Sequence, residues 1–321
     1  MTTVLLTHPS ARQPSIRARF QELGWEVREP NLTETSTGDE MMQALRGVDG
    51  VIARVEPYSR ATLESADRLR VISRVGVGYD AIDVEAATER GVVICTSVGS
   101  NHKTVADFAV TLMLMLARRL ITCHENVVVR GGFERPLGID FFGKTVGVIG
   151  TGAIGKQVIR RVQAFDCPVL GYDVVQDPDL VANGFPYVPL ETLLRESDFV
   201  TLHLPYLAST YHLIGAAELA LMRPSAYLVN TARGPLIDER ALYQALKERR
   251  IAGAGLDVFE REPLTAENPL RALDNVLLTP HAAGSTKEAQ TRSVALAMDN
   301  LILVLQGSPP RSCVNPSVLS R

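Results

Sequence analysis

The sequence has little that would suit an exported, membrane-spanning or metal-binding protein. Its four cysteines form no Cys-x-x-Cys pair and have no nearby histidine at metal-ligand spacing. We therefore expect reduced thiols and no metal site. The longest apolar run, Phe108 to Ala117, is about half of what a bilayer requires. No basic region followed by a signal-length apolar segment opens the sequence, which favours a cytoplasmic location.

The numbers of acidic and basic residues are nearly equal. The formal net charge is −3, with 46% apolar and 21% charged residues. This composition predicts no polyanion-binding surface and therefore no nucleic-acid partner. A length of 321 residues exceeds the usual size of a single core, so we expect two domains.

Short apolar runs alternate with helical patterns from end to end, which is typical of parallel sheets crossed by helices. The predicted fold class is α/β, with two doubly wound parallel-sheet domains. One set of strand candidates lies at 4–7, 26–29, 50–53, 71–75 and 92–96. A second lies at 145–149, 170–173, 199–204, 226–231, 253–258 and 275–279.

A glycine pattern in the second set predicts a dinucleotide site. Gly150, Gly152 and Gly155 form Gly-x-Gly-x-x-Gly between an apolar run and a helical pattern, with Ala153 and Ile154 opening that helix. These glycines would permit a tight turn, close backbone approach to a pyrophosphate, and close helix packing. The pyrophosphate would sit at the positive helix N-terminus.

The next strand candidate ends in Asp173, which can accept hydrogen bonds from ribose hydroxyls and would repel a 2′-phosphate. Val174 and Val175 follow, with no cation to neutralise that phosphate. The pattern therefore favours NAD(H) over NADP(H). A glycine turn and a capping aspartate in a domain that binds nothing is the competing interpretation.

Three polar residues follow three successive strand candidates of the same block: Arg233, Glu262 and His281. The carboxyl ends of parallel strands border the ligand crevice of such a sheet. A guanidinium can bind a carboxylate through two hydrogen bonds, and an imidazole paired with a carboxylate can transfer a proton near neutral pH. Together they predict reduction of a 2-oxo acid by hydride transfer. Individually, each could be an ordinary strand-end or surface residue.

The segments Asn230 to Gly234, Gly255 to Pro263 and Thr279 to Thr286 resemble signatures of the D-isomer-specific 2-hydroxyacid dehydrogenases. The resemblance implies that Arg233 anchors substrate, Glu262 pairs with His281, and His281 is the acid/base. It places Asp257 on the nicotinamide carboxamide and the main-chain amides of Val77 and Gly78 on the substrate carboxylate. Further residues implied around NAD are Thr104, His203, Pro205, Thr210, Thr231, Ala232 and Gly284.

The same resemblance implies a Rossmann NAD-binding domain over 101–285 and a flavodoxin-like substrate domain formed by 1–100 and 286–321. A cleft with two hinges would lie between them. We expect the C-terminal piece, from Arg311, to pack back on the first domain. Members of the family pair through their nucleotide domains. The apolar helix predicted over Thr104 to Cys123 therefore suggests a homodimer.

Substrate choice is left open. The chain is most similar to 3-phosphoglycerate dehydrogenases and to hydroxypyruvate or glyoxylate reductases. Arg54 and Arg74 match positions that hold a substrate phosphate in the former, while Glu56 would oppose an anion. A dianionic acid such as 3-phosphoglycerate and a small 2-oxo acid therefore both remain candidates. The alternative function is an NAD(H)-sensing, corepressor-like module without metabolic turnover.

Overall fold

The computed structural model describes residues 1–320, which divide into two compact units. Unit 1 comprises Met1–Asn101 together with the residues from Thr286 onward, and unit 2 comprises His102–Ser285. Within the described range, no helix combines the length and apolarity needed to cross a membrane.

Unit 1 contains a five-stranded parallel sheet in the order β2-β1-β3-β4-β5. This 2-1-3-4-5 order is that of flavodoxin-like folds. All five strands predicted from the first third of the sequence are present. Their bounds are β1 Thr3–Leu6, β2 Glu26–Arg28, β3 Gly50–Ala53, β4 Val71–Arg74 and β5 Val93–Cys95. The helices are α1 Pro14–Glu22, α2 Gly38–Leu45, α3 Arg60–Ser65, α4 Val84–Glu89 and α12 Lys287–Leu305.

Both faces of this sheet are buried, which explains why its strands are apolar throughout rather than alternating. Leu5 and Val51 belong to the core on one face, whereas Val4 and Ile52 pack with α12 on the other. The C-terminal piece packs against the same unit, as predicted. The Asn315 side chain accepts a hydrogen bond from Ile94 N at 2.9 Å and donates to the Val92 carbonyl at 2.9 Å. Asn315 thus supplies polar partners along the edge of β5.

Unit 2 contains a six-stranded parallel sheet in the order β11-β10-β9-β8-β6-β7. An isolated parallel bridge joins Tyr187 to Gly171 of β7 and stands where the third strand of a Rossmann sheet would lie. The strands are β6 Val146–Ile149, β7 Val169–Tyr172, β8 Phe199–Leu202, β9 Tyr227–Asn230, β10 Gly253–Leu256 and β11 Val276–Leu278. The helices are α5 His102–Ala117, α6 Leu120–Val128, α7 Ala153–Gln163, α8 Pro178–Ala182, α9 Leu190–Glu196, α10 Ala216–Leu221 and α11 Glu239–Lys247.

The order reverses at β6, which lies between β7 and β8. This is the topological switch point at which ligands bind open α/β sheets, outside the carboxyl ends of the strands. Each polar residue proposed for unit 2 from a strand end therefore faces the same edge of one sheet. Short 3₁₀ helices complete the fold at Pro9–Ala11, Gly234–Leu236, Pro269–Ala272 and Pro316–Ser320.

The single helix predicted over Thr104 to Cys123 was wrong in its extent. Helix α5 ends at Ala117, and α6 begins after Arg119, whose φ of 47° is left-handed. A left-handed residue cannot continue a right-handed helix, so the chain turns between the two elements. The apolar run therefore belongs to a buried helix, and the exposed apolar residues lie mainly after the break.

Candidate active site

The fingerprint turn has a separate physical reason for each glycine. Gly150 has φ of 92°, and a Cβ there would lie 2.7 Å from the main-chain carbon of His203. A Cβ on Gly155 would collide with the carbonyl oxygen of Gly150. Gly152 differs, because no atom of the described chain lies within 4 Å of its Cβ position. The two outer glycines permit the fold, and the middle one leaves space beside the helix.

That space adjoins the N-terminus of α7. Gly152 is its N-cap and provides no side-chain cap within the described structure. The first main-chain N–H groups of a helix have no intrahelical partners, and they carry the positive end of its dipole. Ala153 and Ile154 occupy the first two helical positions. This arrangement fits a pyrophosphate.

Asp173 lies directly after β7 and is fixed toward the fingerprint. Its Oδ2 accepts hydrogen bonds from the N and Oγ1 of Thr151, at 2.7 and 3.2 Å. Its Oδ1 accepts one from Val175 N at 3.2 Å. A carboxylate has about four acceptor positions, so Asp173 retains capacity for ribose hydroxyls. Val174 and Val175 are exposed and apolar, as the sequence suggested.

Two buried polar atoms directly after β8 and β9 lack hydrogen-bond partners within residues 1–320: Nδ1 of His203 and Oγ1 of Thr231. His203 follows β8, and its Nε2 lies 3.0 Å from Thr201 Oγ1. Burial lowers the pKa of His203 to about 3, so the ring is neutral at physiological pH. Buried polar atoms without partners are costly, and a ligand rich in amide and hydroxyl groups would satisfy them. The residues therefore fit NAD.

The other residues implied around NAD also lie in unit 2. Thr104 is in the first turn of α5. Thr210 donates its hydroxyl to the Pro205 carbonyl at 2.9 Å and accepts from Leu207 N at 2.8 Å. Ala232 and Gly284 lie in the loops after β9 and β11. The hydrogen bonds of Thr210 order its loop, and the roles of all these residues toward the coenzyme remain predictions.

Glu262 and His281 are brought together although 19 residues separate them. Glu262 Oε2 lies 2.7 Å from His281 Nδ1, and Glu262 Oε1 accepts a hydrogen bond from Phe259 N at 3.0 Å. Burial by itself raises the pKa of Glu262, but the hydrogen bond and charge of His281, the Phe259 amide and the charge of Arg233 together lower it. His281 is 51% exposed in its side chain. The pair is therefore an ionised carboxylate holding an accessible imidazole.

Arg233 lies beyond β9, next to β10. Its carbonyl accepts a hydrogen bond from Asn230 Nδ2 at 2.8 Å, and its Nη1 donates to the Ala232 carbonyl at 2.7 Å. Its charge is near enough to Glu262 to help lower the pKa of that carboxyl. The three predicted catalytic side chains thus lie at the ends of β9, β10 and β11, which are neighbours in the sheet.

Asp257 makes hydrogen bonds to the loop that contains His281, and the sequence did not predict these bonds. Its side chain is fully buried. Oδ1 accepts from Thr279 Oγ1 at 2.6 Å and from Ala282 N at 2.8 Å, while Oδ2 accepts from Ala283 N at 2.8 Å. Its carbonyl also accepts from His281 N at 2.8 Å. Asp257 therefore holds the loop that carries His281, whose φ is 51°. Its role toward nicotinamide remains a prediction.

The substrate residues predicted in unit 1 follow adjacent strands. Arg54 comes after β3 and Arg74 ends β4. Val77 and Gly78 are partly buried in the loop after β4. Gly76 has φ of 139°, and a Cβ there would collide with the Arg74 guanidinium. The positive φ of Gly76 requires glycine there, whereas the Arg74 guanidinium is the end of a flexible side chain that could move aside.

Glu56, which the sequence suggests would oppose an anion, lies in the interior of unit 1. Its side chain is completely buried and accepts hydrogen bonds from Thr7 Oγ1 at 2.5 Å and Tyr58 Oη at 2.7 Å. Both of its oxygens also lie 3.2 Å from Arg54 N. The Glu56 carboxylate therefore makes its hydrogen bonds inside unit 1.

The glycine fingerprint lies at the topological switch point of the sheet, and Arg233, Glu262 and His281 follow neighbouring strands. Together these features define an NAD-binding oxidoreductase. The model of the D-isomer specific 2-hydroxyacid dehydrogenase NAD binding domain matches residues 110–283, and the chain belongs to this family. NAD is its cofactor.

The relatives are named for two different substrates. A glyoxylate reductase of Korarchaeum cryptofilum is 41% identical, over 87% of this chain and 86% of that protein. A D-3-phosphoglycerate dehydrogenase of Methanocaldococcus jannaschii is 40% identical over 90% of this chain, which spans 56% of that protein. Among solved structures, D-lactate dehydrogenase from Aquifex aeolicus, complexed with NAD and lactic acid, has a TM-score of 0.84 and 27% identity. The match covers 99% of this chain and 98% of that one.

Proposed function

We propose that the protein interconverts a D-2-hydroxy acid and its 2-oxo acid, using Arg233, Glu262 and His281. The observation that carries this assignment is the 2.7 Å contact of Glu262 with His281, at strand ends beside that of Arg233. The three residues share one sheet with the glycine fingerprint. Each alone is ordinary, but together they supply a proton, a carboxylate anchor and a coenzyme site.

Each side chain has a defined task in the proposed reaction. NAD, when bound, supplies or accepts the hydride at C2 of the substrate. His281 presents Nδ1 to Glu262, so its Nε2 is the nitrogen that exchanges the proton of the C2 oxygen. Glu262 keeps this ring orientation and stabilises the imidazolium. Arg233 binds the substrate carboxylate through its planar guanidinium.

Unit 1 would bind the remainder of the substrate. We assign a substrate domain to 1–100 with 286–321, and an NAD-binding domain to 101–285. The Val77 and Gly78 amides would bind the substrate carboxylate, and Arg54 and Arg74 would face its distal end. Glu56 accepts hydrogen bonds from the Thr7 and Tyr58 hydroxyls and the Arg54 amide, and its negative charge would still oppose an anion at that end.

Turnover separates this proposal from an NAD(H)-sensing binding module. We expect NADH oxidation with at least one of glyoxylate, hydroxypyruvate and phosphohydroxypyruvate, monitored by the loss of absorbance of the reduced nicotinamide. A protein that binds NADH but oxidises it with none of these acids would favour the sensing module.

Coenzyme preference supplies the first prediction. Asp173 would repel a 2′-phosphate, so the unmodified protein should use NADH more efficiently than NADPH. Asp173→Ala should shrink that preference because it removes both the repulsion and the ribose hydrogen bonds. The measurement is kcat/KM for each coenzyme at saturating 2-oxo acid. Asp179→Ala is the control, since it removes an exposed carboxylate in the following helix. Equal use of both coenzymes by the unmodified protein would refute the assignment.

We also propose a homodimer and locate its interface after the helix break. Most of the predicted apolar stripe of α5 is buried within unit 2, including Leu112 and Met113. By contrast, Val128 is 65%, Phe133 78% and Leu137 90% exposed. These residues and their exposed neighbours Leu120, Ile121, Val127 and Val129 form what we call the α6 patch. Clustered apolar exposure of this kind is typical of a protein contact.

A second copy of the chain is the proposed occupant of the α6 patch, through a two-fold contact. Light scattering at low micromolar concentration should give twice the monomer mass of 35.0 kDa. Val128→Asp should shift the protein toward monomer because a buried charge in the interface is costly. Val175→Asp is the control, because Val175 is equally exposed but lies after β7. A monomer mass for the unmodified protein would exclude the dimer.

A further inference from the structure

Unit 1 places three nitrogen-bearing side chains at one edge of its sheet. His8 follows β1, Arg54 follows β3 and Arg74 ends β4. These three strands are consecutive neighbours in the order β2-β1-β3-β4-β5. Their carboxyl ends therefore lie side by side.

Two carboxylates lie near Arg54 at this edge: the buried Glu56, whose oxygens lie 3.2 Å from Arg54 N, and Glu34. Arg12 donates to the main-chain carbonyls of Leu6, Thr7 and Pro30, which carry dipoles rather than net charge. Glu34 lies 3.6 Å from Arg54, but both side chains are substantially exposed. A weak exposed pair of this kind leaves Arg54 able to bind another anion.

His8 is close enough to Arg54, Arg74 and Arg12 for their charges to change the pKa of its imidazole. Burial, followed by the charges of Arg54, Arg74 and Arg12, lowers the pKa of His8 to about 4. The imidazole is therefore neutral near pH 7. Its Nδ1 accepts a hydrogen bond from Ser10 N at 3.1 Å, which fixes the tautomer with hydrogen on Nε2. His8 is thus a hydrogen-bond donor that adds no charge repulsion to the two guanidinium groups.

We infer that His8 is a specificity-determining residue that donates Nε2–H to a distal phosphate or carboxylate of the 2-oxo acid, beside Arg54 and Arg74. The inference rests on the proposed function and deepens it by selecting dianionic substrates over small ones. A neutral donor beside two cations suits a phosphate, whose three terminal oxygens accept several hydrogen bonds at once. A positively charged group in place of His8 would instead add charge repulsion with Arg54 and Arg74 whenever no anion is bound.

The kinetic test compares phosphohydroxypyruvate with hydroxypyruvate. His8→Phe keeps a ring of similar shape and removes the donor. It should lower kcat/KM for phosphohydroxypyruvate by about tenfold or more, as expected for loss of one hydrogen bond to a charged group. The value for hydroxypyruvate should change by less than about twofold by the same reasoning. His8→Gln, which restores an N–H at a similar reach, should recover part of the loss. His212→Gln, which changes a histidine of unit 2 paired with Glu260, is the control.

Calorimetric binding of inorganic phosphate provides a readout without turnover. The unmodified protein should bind phosphate, and His8→Phe should weaken that binding by a similar factor. If both substrates lose efficiency equally, or neither does, His8 has no part in selecting the distal group and the inference fails, while the proposed function stands. If no 2-oxo acid is reduced but phosphate binding still depends on His8, the anion site stands and the proposed function fails.

Discussion

Replacing His281 by asparagine should lower turnover by roughly 10²–10⁴ while leaving NADH binding nearly unchanged. The expected loss is large because the imidazole that Glu262 Oε2 holds at 2.7 Å is the group proposed to exchange the proton of the substrate oxygen. Asparagine is a suitable replacement because His281 has a left-handed φ of 51°, a conformation that asparagine adopts readily. The loop held by Asp257 should therefore keep its shape, so the loss can be assigned to the imidazole.

His212 offers a closely matched control for this variant. It also has a left-handed φ, of 50°, and its Nε2 lies 2.9 Å from Glu260 Oε1. His212→Asn thus removes an imidazole paired with a glutamate in a similar backbone setting, and turnover should stay near the original value. As a companion, Glu262→Gln should move the pH profile of reduction to lower pH, because the imidazolium loses its charge partner. Unchanged turnover in His281→Asn would mean that the acid/base has been misplaced.

The fold could be predicted because local patterns and global topology agree in this chain. Each apolar run had the length of a strand and was followed by a helical pattern, and such units form parallel sheets. The fingerprint was equally predictable, since Gly150 and Gly155 are required by close contacts that a side chain would prevent. The break at Arg119 was not, because the apolar periodicity continues on both sides of one left-handed residue.

The parts of the site that escaped prediction depend on contacts between distant positions. Asp257 is bound to a loop 22 or more residues away, and Glu56 pairs with Thr7 across 49 residues. His212 likewise contacts Glu260 across 48 residues. A sequence lists such residues without their distances. The positions of His281 and Glu262 after neighbouring strands were enough to predict that they lie close together. The hydrogen bonds inside the loops could not be predicted, because they depend on the folded geometry.

Arg233→Lys should lower kcat/KM for 2-oxo acids by about tenfold to a hundredfold, the range expected when hydrogen bonds to a charged group are lost. Lysine retains the charge but presents a compact ammonium in place of a planar fork, so it cannot make the two parallel hydrogen bonds of a guanidinium to a carboxylate. The loss should appear mainly as a higher KM, because the affected contact is made to substrate as well as to the transition state.

The comparison that completes this test is Arg223→Lys, which changes an exposed arginine before β9 that lies 3.4 Å from Asp198. It should leave both kinetic constants near their original values, since exposed ion pairs contribute little. Arg233→Ala should be more damaging than Arg233→Lys, because it removes the charge as well as the fork. That ranking follows only if Arg233 contacts the substrate anion. A lysine variant as efficient as the original protein would instead assign Arg233 to the local hydrogen bonds around Ala232 and Asn230.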